Sequence, residues 1–339
     1  MKQDLIISST KEMSEQDWLR FRKRGLGASE VGKVMGLSEY GSSVEVFYEK
    51  IGEGLDYRLE NIAMFMGKYD EDKVADLWTY WEGTEESMIR NYRAGRRART
   101  MRRINAYVQN PKWPWLFVSL DRIMNASTSE RGEEGALELK TINGWNADKW
   151  ISGIPPEYIA QHQTQIGVCE MTHGELAILK DGRNFEVFPF DFMPNIFENI
   201  VDTTHDFWQR VEKARSILTR RYEAEKSFNM RAVEELTAEL HEIEPEPDAS
   251  RGFEQFLKEK YTTGTAGERE GNILELEAAQ EHKRLKEQVK EIEVSIREKE
   301  NYLKNQMKET ECLNFGKDGR LNWRNNKLGI RVFDNRVKI

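Results

Sequence analysis

Three stretches, 116–124, 135–142 and 175–190, carry strand patterning, and stretches with helical patterning stand on either side of them. A chain arranged this way must lay its helices on a sheet. The pattern therefore predicts an α/β (α+β) core with a mixed sheet flanked by helices. The helical stretches are 14–24, 28–36, 59–82, 156–170 and 196–225. Ser29, in "LGASE", stands where a side-chain cap would open the second of them. Eight of the nine tryptophans precede residue 209, and the ninth is Trp323. An aromatic-rich globular unit is thus followed by something more extended. The expected boundaries are a core over 1–225, an acidic, proline-containing linker with short helices over 226–270, and a long helix with a terminal β-hairpin over 271–339. On that long helix Leu285, Val289, Ile292, Ile296 and Leu303 recur at coiled-coil spacing, interrupted by Lys299. The spacing fits a helical hairpin packed on its own domain and a seam between copies equally well.

Composition narrows the classes. The chain has 339 residues, 38% hydrophobic and 32% charged, as a water-facing globular protein has. The opening "MKQDLIISSTKEMSEQDW" lacks the apolar run of a secretory leader. No stretch approaches the roughly 20 apolar residues of a membrane span. Cys169 and Cys312 form no CxxC pair and cannot by themselves build a four-thiolate metal site. A reducing cytoplasm is the expected setting. The net charge of −8 argues against a general nucleic-acid coat but leaves room for a local basic channel.

The chemistry-bearing residues gather around two of the strands. Asp121 ends the apolar run "WLFVSLD", and Glu138 and Lys140 lie on "GALELKTI". The turn-rich segment between them lets the strands pair as a hairpin, which brings cross-strand neighbours to about 5 Å. Two carboxylates at that distance repel unless a cation neutralises them, and oxygen donors suit Mg²⁺, with Mn²⁺ as a substitute. Glu138 and Lys140, two residues apart, project from one face, while the Leu139 carbonyl remains available as a ligand. The lysine can orient or deprotonate a water, or stabilise the transition state. Asp followed by Glu-x-Lys on adjacent strands is the PD-(D/E)xK nuclease pattern. The tripeptide alone is common, and a solvated hairpin face is the bland alternative.

Other stretches add to the pattern. "EYIAQHQTQIG" sets Tyr158, Gln161 and Gln165 about one helical turn apart, either as a working face or as a polar exposed one. His162 has no HxxxH partner and is read as incidental. Glu71 lies in a helical charge run, where an acid is usually solvated. Arg22 precedes a helix start at Ser29, a combination that suits an anion. Residues 90–103, "RNYRAGRRARTMRR", hold seven arginines and no acid, with Tyr92 as a stacking surface. They read as nucleic-acid backbone contacts, Arg96, Arg97, Arg99 and Arg102 among them, or as a solvated helical face.

In order and approximate spacing, "WLRFRKRGLGASEVGKVMGLSEY", "MGKYDED", "PWLFVSLDR", "LELKT" and "PPEYIAQHQTQ" resemble the YqaJ-like viral recombinase group of the phage lambda exonuclease family, within the PD-(D/E)xK nuclease superfamily. The tail "GRLNWRNNKLGIRVFD" is similar to the same group's C-terminal region. The resemblance implies a restriction-endonuclease-like central sheet. It implies Asp121, Glu138, Glu71 and the Leu139 carbonyl as metal ligands, Lys140 as the catalytic lysine and Gln161 as a further catalytic residue, three after Tyr158. It implies Arg22, Ser29 and Ser119 as holders of a DNA 5′-phosphate. It further implies a Mg²⁺-dependent 5′–3′ exonuclease acting on double-stranded DNA ends, a homotrimeric ring, and a single-strand annealing protein as partner in a phage or prophage pathway. One departure stands out: the usual Pro-Asp-Gly is Leu120-Asp121-Arg122 here. A structure-specific endonuclease on the same core and a non-catalytic DNA-end scaffold are the rival readings.

Overall fold

The computed structural model of the chain describes residues 2–53, 62–129, 131–143, 150, 153–262, 264, 267–325 and 329–337. Its elements in chain order are β1 (Ile6–Ser9), α1 (Glu15–Arg22), β2 (Leu26–Gly27), α2 (Ala28–Val34), α3 (Ser43–Ile51), α4 (Ile62–Tyr80), α5 (Glu85–Arg93), β3 (Met101–Arg102), β4 (Ala106–Gln109), β5 (Leu116–Val118), β6 (Arg122–Met124), β7 (Gly135–Ile142), α6 (Pro156–Val168), β8 (His173–Lys180), β9 (Asn184–Asp191), α7 (Pro194–Lys226), α8 (Met230–Glu242), α9 (Arg251–Lys260), α10 (Ile273–Met307), β10 (Cys312–Asn314), β11 (Gly319–Asn325) and β12 (Arg331–Val337). Of the helix expected over 59–82, residues 59–61 lie outside the described ones.

The expected mixed α/β core is what the first compact unit, Met1–Thr263, forms. Among the described residues it holds one sheet in the order β1-β4-β5-β2 and another in the order β3-β6-β7-β8-β9. The stretch 116–124, expected as one strand, divides. Leu116–Val118 belongs to the first sheet, Arg122–Met124 to the second, and Ser119, Leu120 and Asp121 carry the chain across. Strand β6 then pairs antiparallel with β7, Arg122 opposite Leu137, as the hairpin reading requires. Continuing that register by one residue sets Asp121 opposite Glu138.

The stretch 175–190 divides as well, into the antiparallel pair β8 and β9. The turn is made at Asp181 and Gly182, whose φ angles are 51° and 64°. Asp-Gly is the sequence signal for such a reversal, because both residues tolerate the left-handed region. Strand β7 runs parallel to β8, joined through α6, so its residues are buried nearly throughout, in the pattern of a strand covered on both faces. Helix α7 buries Phe197, Ile200, Thr204, Phe207, Val211, Ala214 and Ile217 along one stripe, which is why so long a helix is stable here.

Helices α8 and α9, from the stretch expected as linker, pack on α7 and α3 and add Leu236, Leu240 and Phe256 to the main core. Cys169 lies in that core, where burial pushes its thiol up to about 12. The second helix opens differently from the expectation. Its N-cap is Gly27, with the Glu30 side chain accepting from the Gly27 N–H at 2.8 Å, and Ser29 sits exposed in the first turn.

The second compact unit, Gly264–Ile339, holds α10 and a three-stranded antiparallel sheet in the order β10-β11-β12. The expected terminal hairpin is β11–β12, and "CLN" adds a third strand to it. On α10, Leu285, Val289, Ile292 and Ile296 remain about half exposed. They are therefore not packed inside a helical hairpin of their own unit. Among the described residues no helix is long and apolar enough to cross a membrane.

Candidate active site

Asp121 stands at the crossing between the two sheets, and Glu138 and Lys140 stand on the central strand β7 beside it. The Asp121 carboxylate reaches over to accept the Leu139 backbone N–H at 2.9 Å. Glu138 is 4% exposed, yet every bond it makes is to a donor suited to a carboxylate. Its Oε1 accepts from Gln161 Nε2 and Lys140 Nζ, each at 2.6 Å, and its Oε2 accepts from Gln165 Nε2 at 2.6 Å. Gln161 and Gln165 lie one turn apart on α6, so one helix face supplies both amides. Thus the amide-rich face of α6 is turned inward to the carboxylate, and the exposed-face alternative does not hold for Gln165, which is buried.

His162, read as incidental, orients this arrangement. Because Gln165 donates through its nitrogen to Glu138, its oxygen must accept, and it does so from His162 Nδ1 at 2.9 Å. The ring is buried, and burial lowers its pKa, so it stays neutral with the proton on Nδ1. Gly174 on β8 makes room for it. A Cβ there would lie 2.6 Å from His162 Nε2 and 2.7 Å from the Ala136 carbonyl oxygen.

The electrostatics set the two carboxylates apart. Burial, with the Glu138 charge beside it, pushes Asp121 up to about 8. Burial also acts against the Glu138 charge, but Lys140 and the Gln165 amide outweigh it and hold that carboxyl below its usual range. Lys140 is raised: the charges of Glu138 and Asp121 outweigh its own desolvation. The pair therefore holds one firm negative charge, one proton and one ammonium. A divalent cation fits what is left over, because it would displace the Asp121 proton and be met by two carboxylate groups and a main-chain carbonyl.

Glu71 is placed otherwise. From α4 its Oε1 accepts from Arg122 Nη1 at 2.6 Å and Arg103 Nη2 at 2.8 Å. Asp72 shares both arginines. Among the described residues no cluster of three or more acidic, histidine or cysteine side chains is positioned for a metal. Two carboxylates with the Leu139 carbonyl are thus the donor set that fits, and Glu71 would have to leave its arginines to join it. Arg122, only 4% exposed, is the residue the sequence reasoning passed over. Its signal was present in the departure from Pro-Asp-Gly: a guanidinium where glycine has no side chain needs acids nearby.

The expected phosphate residues fall at one end of the first sheet. Strands β2 and β5 are parallel, and Ser29 and Ser119 lie just beyond their C-terminal ends, both exposed. Arg22 pairs with the buried Glu30, which Lys50 also contacts at 2.8 Å. Burial opposes the Glu30 charge, yet Arg22 and Lys50 bring its pKa down to about 2. Tyr158 stacks on Trp150 with ring centroids 5.2 Å apart, and Lys140 Nζ lies 5.8 Å from the Tyr158 ring centroid.

The arginine run is less bare than its sequence. Arg96 pairs with Glu82 at 2.6 Å, Arg97 with Asp76 at 2.9 Å, Arg99 with Glu175 at 2.7 Å and Arg102 with Glu134 at 2.9 Å. Helix α5 ends at Arg93, so the rest of the run is a loop and strand β3 rather than a helical face.

The chain is similar to several known proteins. Over 315 residues the chain is 26% identical to the uncharacterized protein YqaJ of Bacillus subtilis (strain 168), covering 90% of this chain and 82% of the relative. The alkaline exonuclease LHK-Exo of Laribacter hongkongensis is a more distant structural neighbour, 18% identical with a TM-score of 0.46 over 61% of this chain and 97% of that one. A second LHK-Exo structure, in complex with dAMP, gives 17% identity and the same TM-score over 63% and 99%. The model of the YqaJ-like viral recombinase domain matches residues 17–172, the span from α1 to the end of α6 that holds Asp121, Glu138, Lys140 and both glutamines. Over this span, a little under half of the chain, the sequence matches the YqaJ-like viral recombinase domain.

Proposed function

We propose that the protein is a Mg²⁺-dependent DNA exonuclease that digests one strand of linear duplex from 5′ ends and leaves 3′ single-stranded tails for recombination by strand annealing. The observation that carries this reading is that Asp121 lies in the field of the buried Glu138, with Lys140 2.6 Å from Glu138, inside the span that matches the recombinase domain. Asp121, Glu138 and the Leu139 carbonyl would hold Mg²⁺ or Mn²⁺, which when bound would supply polarisation of the scissile phosphate and activation of the attacking water.

The chain's own groups do the rest. Gln161 and Gln165 hold the Glu138 oxygens, with His162 fixing Gln165. Asp121 gives up its proton when the site is loaded. Lys140, kept charged, faces the negative charge that grows on the phosphate oxygens, which favours stabilisation of the transition state over the role of base. Arg22, Ser29 and Ser119 are assigned to a 5′-phosphate, and Tyr158 to the DNA beside Lys140. Double-stranded DNA ends, a single-strand annealing protein and further copies of this chain in a trimer are the proposed partners, in the cytoplasm of a bacterial host.

Linear duplex labelled at both ends and 5′-phosphorylated at one tests the reading. Mg²⁺-dependent mononucleotide release from the phosphorylated end, with closed circular DNA left intact, is the expected result. Cutting of closed circles would instead mean an endonuclease. Chelator-insensitive end binding with no nucleotide release would mean a scaffold.

A further inference from the structure

From Cys312 to Ile339 the chain carries seven lysines and arginines against two aspartates, in a protein of net charge −8. The C-terminal sheet sorts these charges by face. Strand register places Arg320, Asn322 and Arg324 of β11 on one face, with Arg336, Asp334 and Val332 of β12 opposite them in turn. Cys312 and Asn314 of β10 extend the same face. The other face carries Leu321, Trp323 and Phe333, with Lys304 of α10 lying 4.9 Å from the Phe333 ring centroid and Leu321 buried.

The arginines of the two faces are used in opposite ways. Arg331 is spent on structure: it donates to the carbonyls of Lys308, Thr310 and Trp323 at 2.6, 2.9 and 3.1 Å and lies 3.7 Å over the Trp323 ring. Arg320 and Arg324 are exposed, and among the described residues neither has a hydrogen-bond or ion-pair partner. The Arg336 side chain pairs with Asp334, two residues before it, at 2.7 Å. Together these residues line a shallow concavity of about 410 Å³. Within it the Asn322 side-chain oxygen is buried, with no hydrogen-bond partner among the described residues. An amide can be turned to present its NH₂ instead.

We propose that this outer face is a second DNA-binding surface, one that grips the phosphate backbone of duplex DNA independently of sequence. The choice of DNA as the polyanion rests on the nuclease reading of the first unit. Backbone contact follows from the chemistry of the face: unpaired guanidiniums suit phosphates. Duplex rather than single strand follows from what the face lacks. Its strands turn their aromatic rings, Trp323 and Phe333, to the other side, so no stacking platform for unpaired bases is offered. Arg320 and Arg324 are four residues apart on one strand, a span of about 13 Å. That is close to the roughly 12 Å width of the major groove, so the two can reach phosphates on its opposite walls. Arg336 stands directly across from Arg320 and reinforces one end.

The test uses the full chain and a duplex whose two ends are closed by hairpin loops, in EDTA, so that neither end binding nor cleavage contributes. Fluorescence anisotropy across a salt series gives the dissociation constant and its salt slope. Arg320→Gln/Arg324→Gln, which breaks no contact within the fold, should weaken binding about tenfold or more and reduce the log–log slope by nearly 2, about 0.9 for each lost phosphate contact. Arg320→Lys/Arg324→Lys should keep most of the affinity. An unchanged constant and slope in the glutamine variant overturn the proposal, and so does a loss confined to single-stranded DNA. Nucleotide release from linear duplex at saturating protein is measured in parallel. Its absence in the parent chain would sink the nuclease reading while leaving the binding result standing. Normal release with an unaltered salt slope in the variant would sink only the second surface.

Discussion

Two pairs of acids flank strands β6 and β7, and they are neutralised by opposite means. On the helix side Glu71 and Asp72 are met by two guanidiniums, Arg103 and Arg122, one from each of two neighbouring strands or strand ends. On the strand side Glu138 accepts from one ammonium and two amides, Asp121 accepts from a backbone N–H, and the Asp121 carboxyl keeps its proton up to about 8. The first pair is complete within the chain. The second is held together by burial and remains short of positive charge. Acids of the same type, within the same few strands, are thereby divided into a set neutralised within the chain and a set to which the proposed function assigns an external cation.

The largest expected break in this contrast is Lys140→Ala. It should lower Mg²⁺-dependent nucleotide release by about 10²–10³-fold, with affinity for closed-end duplex little changed. Full digestion by the variant would remove the strand-side pair from the chemistry. Next comes pH. Since Asp121 has its folded pKa raised, its contribution to stability is complete below the ordinary carboxyl range and is lost as pH rises through about 8. Glu138, shifted down, loses its contribution only on acidification below the usual carboxylate range, so it does not offset Asp121 near neutrality. In EDTA the unfolding temperature should therefore fall between pH 6 and pH 9, about one unit either side of neutrality and the Asp121 midpoint. Asp121→Asn should flatten the fall, and Mg²⁺ at the alkaline end should recover it. A parent curve as flat as the variant's would show that burial and the Glu138 charge do not raise the Asp121 carboxyl.

Arg122→Met tests the other side. Leaving Glu71 and Asp72 without their buried partner should cost about 1.5–3 kcal/mol in urea unfolding. Adding Glu71→Gln should return part of it, and a neutral Arg122→Met would mean the helix-side acids are satisfied by water. The smallest effect belongs to Arg97→Ala. Its pair with Asp76 is more than half exposed on the arginine side, so stability should change by less than about 1 kcal/mol. The informative readout is the salt slope of DNA binding, which falls by about 0.9 if Arg97 also meets a phosphate and is unmoved if the pair is purely structural.

What could be read from the sequence follows from how far its signals reach. The hairpin carrying Asp121, Glu138 and Lys140 was legible because strand alternation is a local property with period 2. The glutamines of α6 were legible as a face, but not that the face turns inward, which depends on β7 arriving beneath it. The arginine run misled for a similar reason. It contains no acid in sequence, yet Glu82, Asp76, Glu175 and Glu134 come from α4, β8 and loops up to 76 residues away. A linear count of charge cannot see partners delivered by folding. The break at Asp181–Gly182 and the guanidinium of Arg122 were both signalled locally, by a turn dipeptide and by a side chain in place of a glycine.

The two free thiols differ in one more way that matters at the bench. Cys169 is sealed in the core and its thiol is pushed up to about 12, so alkylating reagents will pass it by. Cys312 sits on the outer face of the terminal sheet, directly across from Asn322 and only partly buried. A maleimide dye added to the unmutated protein should therefore attach at one place, beside Arg320 and Arg324. The chain supplies its own reporter: arrival of a duplex on that sheet can be followed as a change in colour or lifetime, with no residue exchanged to install the probe.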